Sequence, residues 1–362
     1  MEVAVKKLKN LVVYICVVLV VFTGCKTTDQ QQIEPIIQGT WEYYNSPEDA
    51  GWDTDKLEEA EDFFNSLDSA AVIVVYRGKV LAAWGSVYSE YLTHSARKSF
   101  MSALYGIFVH EGQIDLQKTM AELGIDDEPP LTELEKTAKV IHLLQARSGV
   151  YHTAAAETEG MHAYKPSRGT YAPGTFWCYN NWDFNTLSTI FIQETGQDFF
   201  QALIERITTE IGMEDFTIAD TQYYYQYERS IHPAYHFQIS ARDAARFGLL
   251  FLQRGRWNDK QIIPEEWVEE STRPVSNSND YIPGTFYGYM WWIFPRGYGS
   301  QYGLTHLNQY ESYAALGAFG QVIQVIPEAE LVFVHRVDSY NNFNVSLDNI
   351  LRLLDKILEA KR

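Results

Sequence analysis

Ser95-Ala96-Arg97-Lys98-Ser99-Phe100, at the head of an apolar run that continues to Phe108, is the stretch on which the reading of this chain turns. Positions i and i+3 of a helix share a face, so the Ser95 hydroxyl and the Lys98 amine can meet there. A serine beside an amine is a nucleophile beside a base, provided that the amine is neutral. An apolar helix supplies that condition, because desolvation disfavours the ammonium form. Arg97 lies roughly 100° round the helix from Lys98, so its charge need not enter the same pocket. An ordinary serine with a solvated lysine fits the tetrapeptide as well, so the decision rests on the surrounding sequence.

On the N-terminal side, Asp53 to Leu67 carries Leu57, Ala60, Phe63, Phe64 and Leu67 on one stripe behind an acidic first turn, which predicts a helix. Ala71 to Tyr76 and Val80 to Trp84, joined by Arg77-Gly78-Lys79, read as a β-hairpin. Ser95 to Glu111 reads as a buried central helix closed by Gly112. From Leu116 to about Glu228 the pattern is mostly helical, and Ala241 to Arg254 forms another helix. Tyr287 to Phe294, Tyr313 to Gly317, Gln321 to Ile326 and Leu331 to Val334 look like successive antiparallel strands, and Ser346 caps a final amphipathic helix. The simplest assembly is an α+β fold. Its antiparallel sheet is built from both chain ends and flanked by helices, with a mainly helical insertion over about residues 113–230.

The 362 residues, 46% hydrophobic and 14% aromatic, are enough for a sizeable core. Lys6, Lys7 and Lys9 before the apolar run Leu11 to Phe22 have the layout of an export signal, too short for a comfortable membrane span. Phe22-Thr23-Gly24-Cys25 resembles a bacterial lipobox, which implies a leader over residues 1–24 and a lipid on Cys25. Lys26 after that cysteine leans toward the outer membrane, or toward the plasma membrane in a bacterium without such sorting. Residues 25–38 would be a polar spacer and 39–362 the folded domain, facing the periplasm or exterior of the cell envelope. The net charge of −18 becomes more negative once a lysine-rich leader is removed, which argues against nucleic acid as a partner. With Cys16 in the leader and Cys25 at the tether, only Cys178 remains, so no disulfide can form within the domain.

Two further clusters carry chemistry. In Pro173-Gly174-Thr175-Phe176-Trp177-Cys178-Tyr179-Asn180-Asn181, Tyr179 and Asn181 offer a phenol for proton relay and an amide for a substrate carbonyl. In Gly317-Ala318-Phe319-Gly320-Gln321, the glycines let a ligand approach a strand whose N–H could stabilise an oxyanion, although a plain turn explains them too. His232 and His236 stand four apart, but Pro233 interrupts them and no His-Glu-x-x-His occurs, so neither a metal nor another cofactor is expected.

Taken in order, Ser-x-x-Lys, Pro-Gly-x-x-x-x-Tyr-x-Asn and Gly-x-x-Gly-Gln make the chain resemble the superfamily of class C β-lactamases, penicillin-binding proteins and related esterases. Leu143-Leu144-Gln145-Ala146-Arg147-Ser148-Gly149, Ser240-Ala241-Arg242-Asp243 and Tyr287-Gly288-Tyr289-Met290-Trp291-Trp292 support it. The resemblance implies a β-lactamase/transpeptidase-like fold and acyl transfer through a serine ester. Ser95 would be the nucleophile, Lys98 its activating amine, Tyr179 the proton shuttle and Asn181 a substrate ligand. Gly320 and Gln321 would lie on the substrate side, and the N–H groups of Ser95 and Gln321 would form the oxyanion hole. Where members acting on β-lactams or peptidoglycan termini usually carry Lys or His, this chain has Ala318. That moves weight from β-lactamase or D-alanyl-D-alanine carboxypeptidase activity toward a small ester, amide or peptide lacking the carboxylate. Arg296, Arg336 or His306 could replace the missing base in space. The reading from a different class is a silent lipoprotein that binds cell-wall peptides or a partner protein.

Overall fold

The computed structural model describes residues 40–362. The leader, the lipobox with Cys25 and the spacer fall outside the described residues.

Eight strands make the main sheet: β1 (Ala71–Tyr76), β2 (Lys79–Gly85), β3 (Ser276–Asn277), β4 (Phe286–Tyr287), β5 (Trp292–Phe294), β6 (Ser312–Gly317), β7 (Gln321–Ile326) and β8 (Leu331–Arg336). Their order is β2-β1-β8-β7-β6-β5-β4-β3, with every pairing antiparallel. The seam between early and late sequence is the β1–β8 pairing, running from Ala71 opposite Arg336 to Tyr76 opposite Leu331. All six residues of β1, β7 and β8 are buried, which is why these segments are near-continuous apolar runs.

The helices that matter for the site are α1 (Thr54–Asn65), α2 (Arg97–His110), α3 (Asn181–Thr195), α4 (Ala241–Leu252) and α5 (Leu347–Glu359). Helix α4 packs on β1, β7 and β8. A Cβ built on its Gly248 would fall 2.5 Å from Val332 Cγ1, so the absence of a side chain there sets how closely helix and sheet approach. Helices α1 and α5 pack on each other, and Arg362 N donates to Gly51 O at 3.1 Å, tying late sequence to early.

Helix α2 is the spine of the molecule, buried from Arg97 to Phe108. Phe100 stacks on Phe247 of α4 at 3.6 Å between ring centroids. Gly106, a poor helix former, is there because the Trp267 indole lies against the backbone: a Cβ would fall 2.4 Å from the ring. Gly106→Ala is therefore expected to destabilise by about 1–3 kcal/mol despite the better helix propensity, measurable as a lower denaturation midpoint at unchanged slope.

Three elements differ from the sequence reading. Ser95 is not in the α-helix but in the 3₁₀ turn His94–Ala96 that leads into it. The segment read as mostly helical ends in strands, Thr221–Gln226 and Ser230–Ser240, which with Glu90–Leu92 form a second sheet. Thr221–Gln226 is an edge strand whose outward tyrosines hide the polar alternation that normally marks such strands. Finally, Tyr287 to Phe294 is not one strand: the chain folds back so that Trp292 opposes Tyr287.

Candidate active site

Thr93 anchors the turn that carries Ser95, its N–H and hydroxyl both donating to Phe237 O at 3.0 and 2.8 Å. His94 takes a left-handed conformation at φ 47°. The next helical turn then places Lys98 Nζ 3.1 Å from Ser95 Oγ.

Tyr179 and Asn181 reach the same amine from another element. Gly174 (φ 81°) turns the preceding loop, and its N–H donates to Arg147 O at 2.7 Å. Asn180 then caps α3, its side chain accepting from Trp182 N–H at 3.1 Å. That entry puts Tyr179 Oη 2.6 Å and Asn181 Oδ1 2.9 Å from Lys98 Nζ. Lys98 Nζ is thus the common partner of Ser95 Oγ and Tyr179 Oη.

A neutral amine has two N–H donors and one lone pair, and the three oxygens around Lys98 use all of them. Asn181 Oδ1 can only accept, so at least one hydroxyl proton of Ser95 or Tyr179 points at the nitrogen lone pair. The surroundings keep the amine in that form. Lys98 is fully buried, and its Nζ lies 4.1 and 4.2 Å from the ring centroids of Tyr179 and Phe184. Burial first, and the neighbouring Arg97 charge second, hold its pKa well below the ordinary lysine range. Burial, with Tyr281 close by, raises the Tyr179 phenol instead, so it stays protonated. Phe184, Tyr281 and Trp292 make the wall that dehydrates it, with centroids 5.1, 5.0 and 5.4 Å from the Tyr179 ring.

Arg97 is the unusual member of the group. Its guanidinium is buried, donates to His94 O at 2.7 Å and lies over the Tyr235 ring at 4.9 Å, while Nε and Nη2 have no partner. Burial, with Arg97 and Arg336 nearby, lowers the pKa of His94 to about 4, so that ring is neutral and bonds Ser339 Oγ at 2.8 Å.

The third motif closes the site with its first half. A Cβ on Gly317 would fall 2.3 Å from Thr93 O and 3.2 Å from Ala96 N, so only glycine lets the end of β6 lie against the nucleophile turn. Ala318, next in sequence, and Gly320 (φ 101°) line the same cavity as Ser95. Gln321 does not. It is fully buried opposite Gly317, its side chain donating to Val337 O at 2.8 Å, so that side chain is turned away from the substrate. Ala318, which lines that cavity together with Ser95, is the alternative backbone donor on this side. Asn181 has Oδ1 on Lys98 and Nδ2 donating to Ala156 O at 2.8 Å, so its amide holds the amine in place.

The Ser95 cavity measures about 370 Å³, and no charged side chain lines it. A second cavity of about 500 Å³, which Arg147 and Asp280 help to line, meets it at Tyr179 and Tyr281. None of the basic residues considered from sequence reaches Ser95. Arg296 pairs with Glu328 at 2.7 Å, Arg336 is buried against Tyr91 O, and His306 sits on the Asp355 carboxylate through its N–H at 2.8 Å. Among the described residues, no three His, Cys, Asp or Glu side chains converge as metal ligands. His232 and His236 lie on a strand, and His232 is engaged by Thr189 and Asp126 O at 3.0 Å each.

A family model described as beta-lactamase matches residues 55–353. Similar solved structures include a Bacillus anthracis protein assigned as a 6-aminohexanoate-dimer hydrolase, 21% identical over 89% of this chain and 86% of that one, with a TM-score of 0.64. The octameric penicillin-binding protein homologue from Pyrococcus abyssi is 18% identical over 85% of this chain and 78% of its own, at a TM-score of 0.60. A class C beta-lactamase is 15% identical over 86% of this chain and 97% of its own, at 0.62. At these identities the likeness is one of fold. No curated protein matches the chain.

Proposed function

Because the chain belongs to the beta-lactamase family, whose fold is that of serine hydrolases, we propose that it hydrolyses a small ester or amide with no carboxylate near the scissile carbonyl, through an acyl-enzyme on Ser95. The observation that carries this reading is the uncharged cavity around Ser95. A carboxylate brought into that cavity would find no cation to pair with it.

Ser95 Oγ attacks the carbonyl carbon and gives its proton to the neutral Lys98 amine, directly or through Tyr179. The tetrahedral oxyanion lies between the N–H groups of Ser95 and Ala318. As the intermediate collapses, Tyr179 protonates the departing oxygen or nitrogen and is itself reprotonated from the Lys98 ammonium. Water then attacks the Ser95 ester, with the same pair taking its proton and returning one to Ser95. The buried neutral amine supports Lys98 as the base, since the raised phenol pKa leaves little phenolate at neutral pH.

The direct test is side-by-side turnover of p-nitrophenyl acetate, nitrocefin and a D-alanyl-D-alanine peptide. Ester hydrolysis at least a hundredfold more efficient than nitrocefin hydrolysis is the expected outcome; rapid nitrocefin turnover contradicts the reading. Absence of a fluorophosphonate adduct on Ser95 would favour a silent binding protein. We also propose, from Lys6 through Cys25, that the enzyme is lipid-tethered at the cell envelope. Loss of palmitate incorporation in Cys25→Ala tests this.

The pH profile carries its own prediction. The active amine is the unprotonated one, so kcat/KM rises with pH through the depressed Lys98 pKa and is lost below it. Arg97 is the charge that assists burial in that depression; the other polar groups near it, Tyr235, His236 and His94, are neutral. Arg97→Met is expected to move the acidic limb to higher pH, read from kcat/KM profiles of both proteins. A limb left in place removes Arg97 from this role.

A further inference from the structure

Tyr179, the proposed donor to the leaving group, lines both cavities, and this sets which part of the substrate goes where. Resting on the acyl-enzyme reading above, we infer that the Ser95 cavity is an acyl lobe for an unbranched apolar chain of about eight carbons, while the second cavity receives a polar leaving group. The substrate class is then medium-chain acyl esters or amides of a polar alcohol or amine.

The direction follows from the chemistry. The carbonyl carbon must sit at Ser95 Oγ with its oxygen on the Ser95 and Ala318 N–H groups, all within the first cavity. The leaving atom must lie within hydrogen-bond reach of Tyr179 Oη to take a proton. Tyr179 lines both cavities, so whatever the leaving atom carries continues past it into the second. The acyl chain, on the opposite side of the carbonyl, extends away from Tyr179.

What lines each lobe matches that division. Met161, Ile282, Leu316, Val322, Leu347 and Ile350 make the acyl lobe mostly apolar; Thr158, Asn344 and Ser346 add polar but uncharged groups. A methylene fills roughly the ~30 Å³ that a water occupies. A cavity of about 370 Å³ has room for about twelve such groups, so an eight-carbon acyl chain fits with its open mouth left to solvent. The second lobe sets Arg147, Ser276, Asn277 and Asp280 beside an aromatic wall that includes Phe176 and Trp177, and unlike the first it contains charged side chains. Arg147 donates there only to neutral oxygens, Gly174 O at 2.5 Å and Ser276 Oγ at 3.4 Å, and its buried Nε has no partner. That lining suits a hydroxylated or otherwise polar group.

The test is kcat/KM for p-nitrophenyl esters from acetate to laurate, kept below their micellar concentrations. Each methylene placed in an apolar lobe should raise kcat/KM about threefold up to octanoate, with a plateau or fall beyond. Leu347→Trp and Ile282→Trp should each lower the octanoate-to-acetate ratio at least tenfold. The ratio is internal to each protein, so incomplete folding does not mimic the effect, and two variants on different elements guard against a local one. Glycerol mono-octanoate should be cleaved in preference to hexyl octanoate. A flat or falling profile from acetate onward, an unchanged ratio in both variants, or preference for the hexyl ester overturns the inference. Each leaves the acyl-enzyme reading standing if a fluorophosphonate still labels Ser95; absence of labelling sinks both.

Discussion

Lys98→Met should lower kcat/KM for the preferred ester roughly ten-thousand-fold, with the rate of fluorophosphonate labelling of Ser95 falling in parallel. Methionine fills nearly the same volume as the neutral lysine it replaces, so the packing against Phe184 and the Tyr179 ring survives while the lone pair that receives the serine proton disappears. Tyr179 cannot take over, because burial keeps its phenol protonated. Lys98→Arg should be equally inactive, since a guanidinium does not give up its proton at working pH. Stopped-flow acylation and thermal unfolding on the same preparations separate loss of chemistry from loss of fold. A variant retaining a tenth of wild-type acylation would require a base other than Lys98.

Gly317→Val should be the second most damaging change. A Cβ at this position falls 2.3 Å from Thr93 O, a backbone atom whose residue is pinned by two hydrogen bonds to Phe237 O, so no side-chain rotation relieves it. Either the end of β6 or the turn carrying Ser95 must move, and in both cases Ala318 N–H and Ser95 N–H no longer face one oxyanion. Loss of one such donor costs about a hundredfold to a thousandfold in kcat. The expected signature is a fall of that size with KM altered little, measured on an ester that wild type turns over. A fall in thermal stability without loss of kcat would mean that the turn tolerates the displacement.

How far the sequence reaches into this structure depends on which atoms do the work. β1, β7, β8 and the amphipathic α5 are legible because burial on one or both faces writes itself into the apolar pattern. Ser95, Lys98 and Tyr179 are legible because each contributes a distinctive side chain, and the structure places both hydroxyls within hydrogen-bond reach of the Lys98 amine. Ala318 is invisible for the opposite reason: its contribution is a backbone N–H, and nothing about an alanine announces that. Gln321 sits beside glycines that invite a ligand, yet its side chain turns into the core toward Val337 O, and spacing alone does not reveal which way a strand residue faces. Asn181 shows a related effect. Its amide suits a ligand, but both ends are already occupied, one by Lys98 and the other by Ala156 O. Tyr281 and Trp292, which dehydrate Tyr179, are hidden among many other aromatics.

The β1–β8 seam and the placement of α5 bear on when this molecule can first work. During synthesis the nucleophile leaves the ribosome early, with β1 and β2 but without β8, the strand that completes their sheet. Ala318 and the first turn of α5, both lining the Ser95 cavity, follow only at the far end of the chain. Pairings between such distant segments form slowly. The nascent polypeptide therefore carries its reactive alcohol in an unassembled and harmless state until translation has passed Glu359.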